Sequence, residues 1–451
     1  MSQFKRVLIA NRGAVASRVL RALHQMGIAS VAVYSEADAD LPYLKLADEA
    51  VCIGSPEPKG SYLNRSLLLD VARRTGCDAI HPGYGFLSEN ALFASEVLDK
   101  GMAFIGPSPR WIEAMGHKTR ARELMASHGM PMCPSSGALP DMGPESLAQA
   151  RAVGFPVLIK PTVGGGGIGM LAASDEKELA KVFEQARSMS LRSFGSTELY
   201  LERLIKRPRH IEFQVLGDRF GKVRHVYERD CSVQRRHQKI LEESPAPQIP
   251  EAEVLSMAAR IEALLSKLKY DVIGTVEMLY TPELGFVFLE MNTRLQVEHA
   301  VTEEVTGIDI VQSQIRLAFG EAIDSVVPAV IPRKMHAVEA RIYAEDPVTF
   351  LPSPGPLDTF KMPSGEGIRV ETGYGQGTTV PVYYDPMIAK IIASASTRDA
   401  AIEHLRRALA QTLIEGVKTN IPFLRRVLDN AQFTSGHVHT GMAALLTNYR
   451  T

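Results

Sequence analysis

The ten residues EMNTRLQVEH, 290–299, carry a dense set of groups able to hold anions, cations and protons. In an extended chain alternate side chains face one way. Glu290, Asn292, Arg294, Gln296 and Glu298 therefore share one surface, while Met291, Leu295 and Val297 take the other. A half-exposed strand with a polar outer face is the plain alternative. Such faces favour Lys, Thr and Ser, unlike this mixture of carboxylate, amide and guanidinium. Just upstream, Thr275–Tyr280 and Gly285–Met291 flank Thr-Pro-Glu-Leu, which predicts an antiparallel hairpin with Glu277 near Glu290. Two carboxylates and an amide oxygen suit Mg²⁺ bound to nucleotide phosphates.

Three further segments carry chemistry. VGGGGIGM, 163–170, follows an apolar strand ending in Lys160 and precedes a helix. Consecutive glycines let backbone N–H groups wrap phosphate oxygens. The spacing is neither that of a P-loop, since no Gly-Lys-Ser/Thr follows, nor that of a dinucleotide fingerprint. RDCSVQRRHQK, 229–239, with Arg209-His210 upstream, reads either as a solvated basic surface or as a site for small anions such as phosphate and bicarbonate. Few aromatics are interleaved, so no stacking platform for single-stranded nucleic acid is indicated. HPGYGFLSEN, 81–90, follows a short strand and places glycines and Tyr84 at its carboxyl end, where open α/β sheets bind ligands. Ser88 reads there as a helix cap.

The elements that must position these groups begin as a βαβ unit. Arg6–Ala10 is a short apolar strand, a helical pattern follows through Val15, Val19, Leu20 and Leu23, and Ser30–Tyr34 is the next strand. Apolar runs at 51–53, 79–80 and 103–105 then alternate with helical stretches at 65–74 and 91–100, which predicts a parallel sheet with helices on its faces. Gly-Pro-Ser-Pro, 106–109, marks a boundary. Beyond it come a strand at 156–160, a helix from about 175 to 188 with Ser174 as its cap, and an amphipathic helix at 254–268. From about Lys334 the chain holds Gly/Pro-punctuated strands, then a helix-strand-helix stretch at 398–430.

Composition narrows the function. The 451 residues leave room for two or three domains, 45% are hydrophobic, 22% are charged and the formal net charge is −1. That balance argues against a general nucleic-acid or membrane-surface binder. MSQFKRVLIANRG does not read as a signal peptide, and no apolar run approaches a membrane span. Cys52, Cys77, Cys133 and Cys231 form no CxxC pair, which fits a reducing cytoplasm better than a disulfide framework or a structural zinc.

In their order, from IANRG (9–13) through HPGYGFLSEN, RDCSVQRRHQK and EMNTRLQVEH to AEDPVTFLPSPG (344–355), these segments resemble the biotin carboxylase family of the ATP-grasp superfamily over nearly the whole chain. The resemblance implies an α/β architecture in three parts: a Rossmann-like parallel sheet at 1–110, an ATP-grasp domain at 111–330 with a glycine-rich lid at about 131–204, and a mixed β/α domain at 331–451. It implies that Lys118 and Lys160 hold ATP phosphates, with lid glycines Gly165, Gly166 and Gly167. Glu202 and Leu204 match the adenine hinge, and His210, Gln234 and His237 match further nucleotide contacts. Glu277, Glu290 and Asn292 match the ligands of Mg²⁺ or Mn²⁺. Lys239, Arg294, Gln296, Val297 and Glu298 match the bicarbonate pocket, with Glu298 as the base. Tyr84 matches a residue beside biotin, and Arg341 matches the arginine that stabilises the biotin enolate.

The implied reaction carboxylates biotin through carboxyphosphate, under a glycine lid that closes over the phosphates. No attachment motif for biotin is present, so biotin is expected on a separate biotin carboxyl carrier protein or domain. A carboxyltransferase that chooses the final acceptor and a homodimer are also expected. The chain departs from the family pattern at His117, Pro161, Val163 and Ile168, and also at Ala14 and Ala300. These changes predict altered lid dynamics, ATP affinity and turnover rather than a different reaction. Two other readings stay open: another ATP-grasp ligase that makes an acyl-phosphate, and a nucleotide-binding regulator without turnover.

Overall fold

The computed structural model describes residues 4–139, 141–164 and 168–447. Apolar runs too short for helices build the first sheet. They are β1 (Arg6–Ile9), β2 (Ala29–Tyr34), β3 (Glu49–Cys52), β4 (Ala79–His81) and β5 (Ala103–Phe104). All pair in parallel, in the order β3-β2-β1-β4-β5. Helices α1 (Gly13–Gln25), α2 (Arg65–Arg74) and α3 (Ala91–Asp99) connect them. A right-handed crossover needs such helices to return the chain to the same edge. The α3 cap is Asn90, which accepts from the N–H of Phe93. Ser88, expected as the cap, instead donates its hydroxyl to the Gly85 carbonyl. An Asx side chain two residues later outcompetes the serine.

Helices α4 (Pro109–Gly116) and α5 (Lys118–Ser127) lead into a small antiparallel sheet. Its order is β7-β6-β8, with β6 at Val157–Pro161, β7 at Leu171–Ala173 and β8 at Leu199–Arg203. Helices α6 (Pro144–Val153) and α7 (Glu176–Phe194) pack on it through Ala150, Val153, Leu179, Phe183 and Ala186. The α7 cap is Asp175 rather than Ser174: Asp175 accepts from the N–H of Glu178, and Glu178 accepts from the N–H of Ser174. The reciprocal pair uses the serine backbone and leaves its hydroxyl out of the cap.

The largest sheet has eight antiparallel strands. It contains β9 (Arg209–Gly217), β10 (Val223–Arg235), β11 (Gln238–Ser244), β12 (Val272–Thr281), β13 (Gly285–Asn292) and β14 (His336–Tyr343). The order is β13-β12-β9-β10-β11-β14, continued by Met387–Ala395 and Ile368–Thr372. Strands from both sides of residue 330 thus share one ladder, joined where β11 pairs with β14. One face is apolar: Ile211, Phe213 and Val215 join Val254, Ala258, Ile261 and Leu265 of α8 (Glu251–Leu268) in a core. The other face carries buried polar side chains, including His210, Glu212 and Gln214. It is covered in part by α9 (His299–Thr306) and α10 (Ile310–Phe319). The four cysteines are unpaired, and no described helix is long and apolar enough to cross a membrane.

Candidate functional site

One row of the large sheet sets the electrostatics of the site. Glu290 lies opposite Glu277, Glu277 opposite Glu212, and Glu212 opposite Arg229. Like charges directly opposite one another destabilise a ladder, so this row demands cations. Lys239 supplies one. Its ammonium reaches Glu212 Oε2 at 2.6 Å, Glu277 Oε1 at 2.9 Å and Glu298 Oε1 at 2.6 Å. Arg229 donates Nε to Glu212 Oε1 at 2.6 Å, and Lys118 lies 3.2 Å from Glu290 Oε2. His210 Nε2 lies 3.0 Å from Glu277 Oε2, while its Nδ1 accepts from Gln234 at 3.0 Å.

Local structure explains how Lys239 arrives there. The β10–β11 hairpin turns on Arg236 and His237, with φ of 49° and 66°. Two residues at positive φ make the turn whose twist matches a hairpin, although glycine and asparagine are its usual occupants. This turn places Gln234 opposite Lys239. Both face the cavity, and His237 stands at its rim.

The strand ends at Asn292, so the expected extended run to Glu298 is interrupted. The polar side chains converge nonetheless. Arg294 folds back to donate to Asn292 Oδ1 at 3.1 Å and Gln296 Oε1 at 3.0 Å. Glu89 fixes its other edge, taking Arg294 Nε at 2.8 Å and the Thr293 N–H at 3.1 Å. Glu298 is delivered as the residue before α9, fully buried. Its second oxygen accepts from Arg341 Nη2 at 3.0 Å, and Arg341 Nε reaches Glu242 Oε1 at 2.6 Å. Burial pushes the Glu298 carboxyl up, but Lys239, Arg341 and Arg229 outweigh it and hold the group well below the usual carboxylate range.

A third cluster forms where the small sheet meets α5. Glu202 pairs with Lys160 at 2.7 Å and with Arg122 at 2.7 Å. Burial raises the Glu202 carboxyl; the two cations prevail and hold it ionised. Arg122 also donates to the Cys133 and Phe288 carbonyls, tying α5 to β13 and to the segment leading into the small sheet.

These groups line a cavity of about 690 Å³. Lys118, Lys160, Glu202, Leu204, His210, Gln234, His237, Lys239, Glu277, Glu290, Asn292, Arg294, Gln296, Val297, Glu298 and Arg341 all border it. Leu158, Met170, Leu279 and Leu289 give it an apolar wall suited to a purine face. Ile168 borders it too and is 48% exposed. Gly165, Gly166 and Gly167 lie outside the described residues.

Tyr84 lines an adjoining cavity of about 520 Å³ with Asn11, Arg12, Phe86, Tyr383 and Tyr384. Arg294, Val297, Arg341, Tyr343 and Asp385 border both cavities. Gly83 makes the turn that presents Tyr84: its φ is +65°, and a Cβ there would sit 2.8 Å from Asn11 Nδ2. That amide is occupied, donating to the Pro82 carbonyl at 2.7 Å and to the Tyr84 carbonyl at 2.8 Å.

The metal-binding expectation fits the donors present. Glu277 and Glu290 are carboxylates directly opposite one another across the ladder, and hard oxygens suit Mg²⁺ or Mn²⁺. Asn292 donates Nδ2 to Glu277 at 2.7 Å, so its amide oxygen must turn inward to join them.

Sequence reasoning did not single out Arg122, Glu212, Glu242 or Asp385, and it held Glu89 and Arg229 only as members of the 81–90 and 229–239 segments, without a role of their own. For Glu212 a signal existed, because His210, Glu212 and Gln214 alternate with Ile211, Phe213 and Val215 as the 290–298 run does. The others meet the site only through tertiary packing.

Comparison with known proteins places the whole chain in one family. Residues 3–112 match the biotin carboxylase N-terminal domain, 117–326 the carbamoyl-phosphate synthase L chain ATP-binding domain, and 339–444 the biotin carboxylase C-terminal domain. A biotin carboxylase of Halalkalibacterium halodurans is 48% identical over 99% of this chain and 98% of its own. The biotin carboxylase of Allochromatium vinosum is 46% identical over 96% and 97%. Among solved structures, Campylobacter jejuni biotin carboxylase in a beta-gamma-ATP complex superposes with TM-score 0.94 at 42% identity, over 98% of this chain and 99% of that one. The biotin carboxylase domain dimer of Hydrogenobacter thermophilus 2-oxoglutarate carboxylase, with MgADP, ADP and bicarbonate, gives 0.95 at 40% identity over both full lengths.

Proposed function

The chain belongs to the biotin carboxylase family, and from that premise we propose that it carboxylates biotin on a carrier protein using ATP and bicarbonate. The observation that carries the reading is Glu298, a buried carboxylate on the larger cavity, held ionised between Lys239 and Arg341, the second of which borders both cavities.

Lys118 and Lys160 bind the phosphates of ATP, and Glu202 with Leu204 takes the adenine edge. A divalent cation held by Glu277, Glu290 and Asn292 neutralises phosphate charge when bound. Arg294, Gln296 and the Val297 backbone seat bicarbonate. Glu298 accepts the bicarbonate proton, and the oxyanion attacks the γ-phosphorus as ADP leaves. Lys239 steadies the charge that builds on the transferring group. Carboxyphosphate then separates into CO₂ and phosphate. Phosphate takes the ureido proton of biotin, whose nitrogen attacks CO₂. Arg341 stabilises the biotin enolate, and Tyr84 stands in the cavity that receives the ring.

The reading extends to organisation. A carrier and a carboxyltransferase complete the reaction, as separate chains or as further domains, and the carboxyltransferase selects the acyl acceptor. We assign residues 1–110, 111–330 and 331–451 as its three domains, with the lid at about 131–204. A homodimer in the cytoplasm is the form expected.

The test is ADP formation by the purified protein with Mg-ATP, with bicarbonate and free biotin each added or withheld. ADP that forms only with bicarbonate, rises with biotin and falls at least about a hundredfold in Glu298→Gln supports the reading. ATP binding without any bicarbonate-dependent ADP would overturn it and favour a nucleotide-binding regulator.

A further inference from the structure

Beside Arg341, Glu242 of β11 faces Glu339 of β14 directly across the ladder. Cross-strand partners on one face lie about 5 Å apart at Cβ. Both side chains are fully buried. Glu242 Oε1 receives Arg341 Nε at 2.6 Å, whereas Glu242 Oε2 has no donor among the described residues. Glu339 Oε2 receives Lys390 Nζ at 3.4 Å, whereas Glu339 Oε1 has no donor among them. A buried carboxylate oxygen without a donor is costly, and two of them opposite one another are costlier.

The charges around the pair are not enough to keep both ionised. Arg341 from β14 is shared with Glu298, which precedes α9. Lys390, on the strand Met387–Ala395, lies nearer to Glu371 of Ile368–Thr372, at 2.9 Å, than to Glu339. Lys239 on β11 is already surrounded by Glu212, Glu277 and Glu298. From α9, His299 adds a neutralised imidazole and Glu303 a further carboxylate, and Arg18 of α1 and Arg369 of Ile368–Thr372 are taken up by Glu303 and Glu371. Asp385 and Tyr343 complete the surroundings. Burial accordingly drives both Glu242 and Glu339 above the ordinary carboxylate range, against Arg341 and Lys390.

We propose that Glu242 and Glu339 share one proton and together form a positioning pair that pivots Arg341 between Glu298 and biotin. The proton supplies the donor that both orphan oxygens lack. It leaves Glu242 enough charge to hold Arg341 by Nε, without drawing its Nη groups off Glu298 or the substrate. When Glu298 takes the bicarbonate proton, its hold on Arg341 Nη2 weakens. Glu242 then keeps the guanidinium anchored while that edge turns to biotin. The proposal rests on the biotin carboxylase reading and assigns two residues that touch no substrate.

The test separates the two ideas. Bicarbonate-dependent ADP formation by the unmutated protein tests the parent reading, and its absence would sink that reading alone. Given that activity, Glu242→Gln is expected to lower biotin-dependent kcat at least about tenfold while leaving the KM for ATP within about twofold. Glu339→Gln keeps the anchor and removes the second titrating carboxyl. It is expected to retain kcat near neutral pH and to move the alkaline limb of the biotin-dependent profile up by about one pH unit or more. Infrared spectroscopy supplies a readout independent of turnover: a protonated-carboxyl C=O stretch at neutral pH, absent from both variants. An absent band in the unmutated protein, or variants with unchanged kcat and superimposable pH profiles, would overturn the shared proton. Should Glu242→Gln not fold, Glu339→Gln and the infrared band decide the matter.

Discussion

Lys239→Gln is the most telling substitution. The ammonium is 12% exposed and sits within 2.9 Å of three carboxylates that are themselves almost wholly buried. Replacing it by a shorter, neutral amide removes one cation and leaves Glu212, Glu277 and Glu298 facing one another. Breaking a buried charge cluster on one side costs about 3–5 kcal/mol. The folded protein can reduce that cost by binding a proton, and this makes the loss depend on pH. In the variant at least one carboxyl is raised above its unfolded value. Such a group contributes stability that is present below the unfolded pKa and is lost as pH rises through the folded one. One proton held across two pH units is worth about 2.7 kcal/mol, at roughly 1.36 kcal/mol per unit. The deficit of Lys239→Gln should therefore be about 1 kcal/mol near pH 5.5 and about 3–4 kcal/mol near pH 8. Urea titrations of both proteins at several pH values measure it. Bicarbonate-dependent ADP formation should fall at least about a hundredfold throughout. A stability deficit of equal size at every pH would refute the claim that the lysine acts by neutralising the carboxylates.

Two further substitutions probe the supports of the site. Glu89→Gln loosens the edge of Arg294; the pair is partly exposed, so stability should change by less than about 1 kcal/mol, while the KM for bicarbonate rises several-fold in steady-state assays. Arg122→Leu strips Glu202 of one of its two cations and leaves the Cys133 and Phe288 carbonyls without that donor, so thermal unfolding should reveal a loss of about 3 kcal/mol, and ATP titration a weaker Kd.

The first sheet was legible because apolar runs of strand length alternated with helix-period stretches, and that pattern has few other solutions. The Glu277–Glu290 pairing was legible for a local reason: a short turn between two apolar strands leaves little freedom of register. The two helix caps were each misplaced, since Ser, Asp and Asn stood within two residues of one another and propensity alone does not rank them at a given site. The extended reading of 290–298 failed after Asn292, yet the side chains it grouped do meet, because Arg294 is long enough to bridge the bend. What local pattern could not reveal were the partners brought in by packing. Glu89 comes from the first sheet's domain, and Arg122 from the entry to the second. Glu242 belongs to a row completed only when β14 joins the ladder.

Those partners change how the site works. Every cation assigned to an incoming anion is already matched to a carboxylate: Lys160 to Glu202, Lys118 to Glu290, Arg294 to Glu89, and Lys239 and Arg341 to Glu298. Substrate binding is therefore an exchange of partners, not the filling of a bare positive pocket. A small anion such as bicarbonate gains little net free energy from such an exchange, because each new contact replaces a good one. The exchange does something else that the chemistry needs. The same cations that hold Glu298 ionised also hold its proton affinity far below that of a useful base. On the proposed reading, bicarbonate draws Lys239 toward itself and relieves part of that restraint, so Glu298 gains basicity while Arg341 still holds its second oxygen. A base restrained until its substrate arrives follows from the ion pairs themselves, without any movement of the backbone.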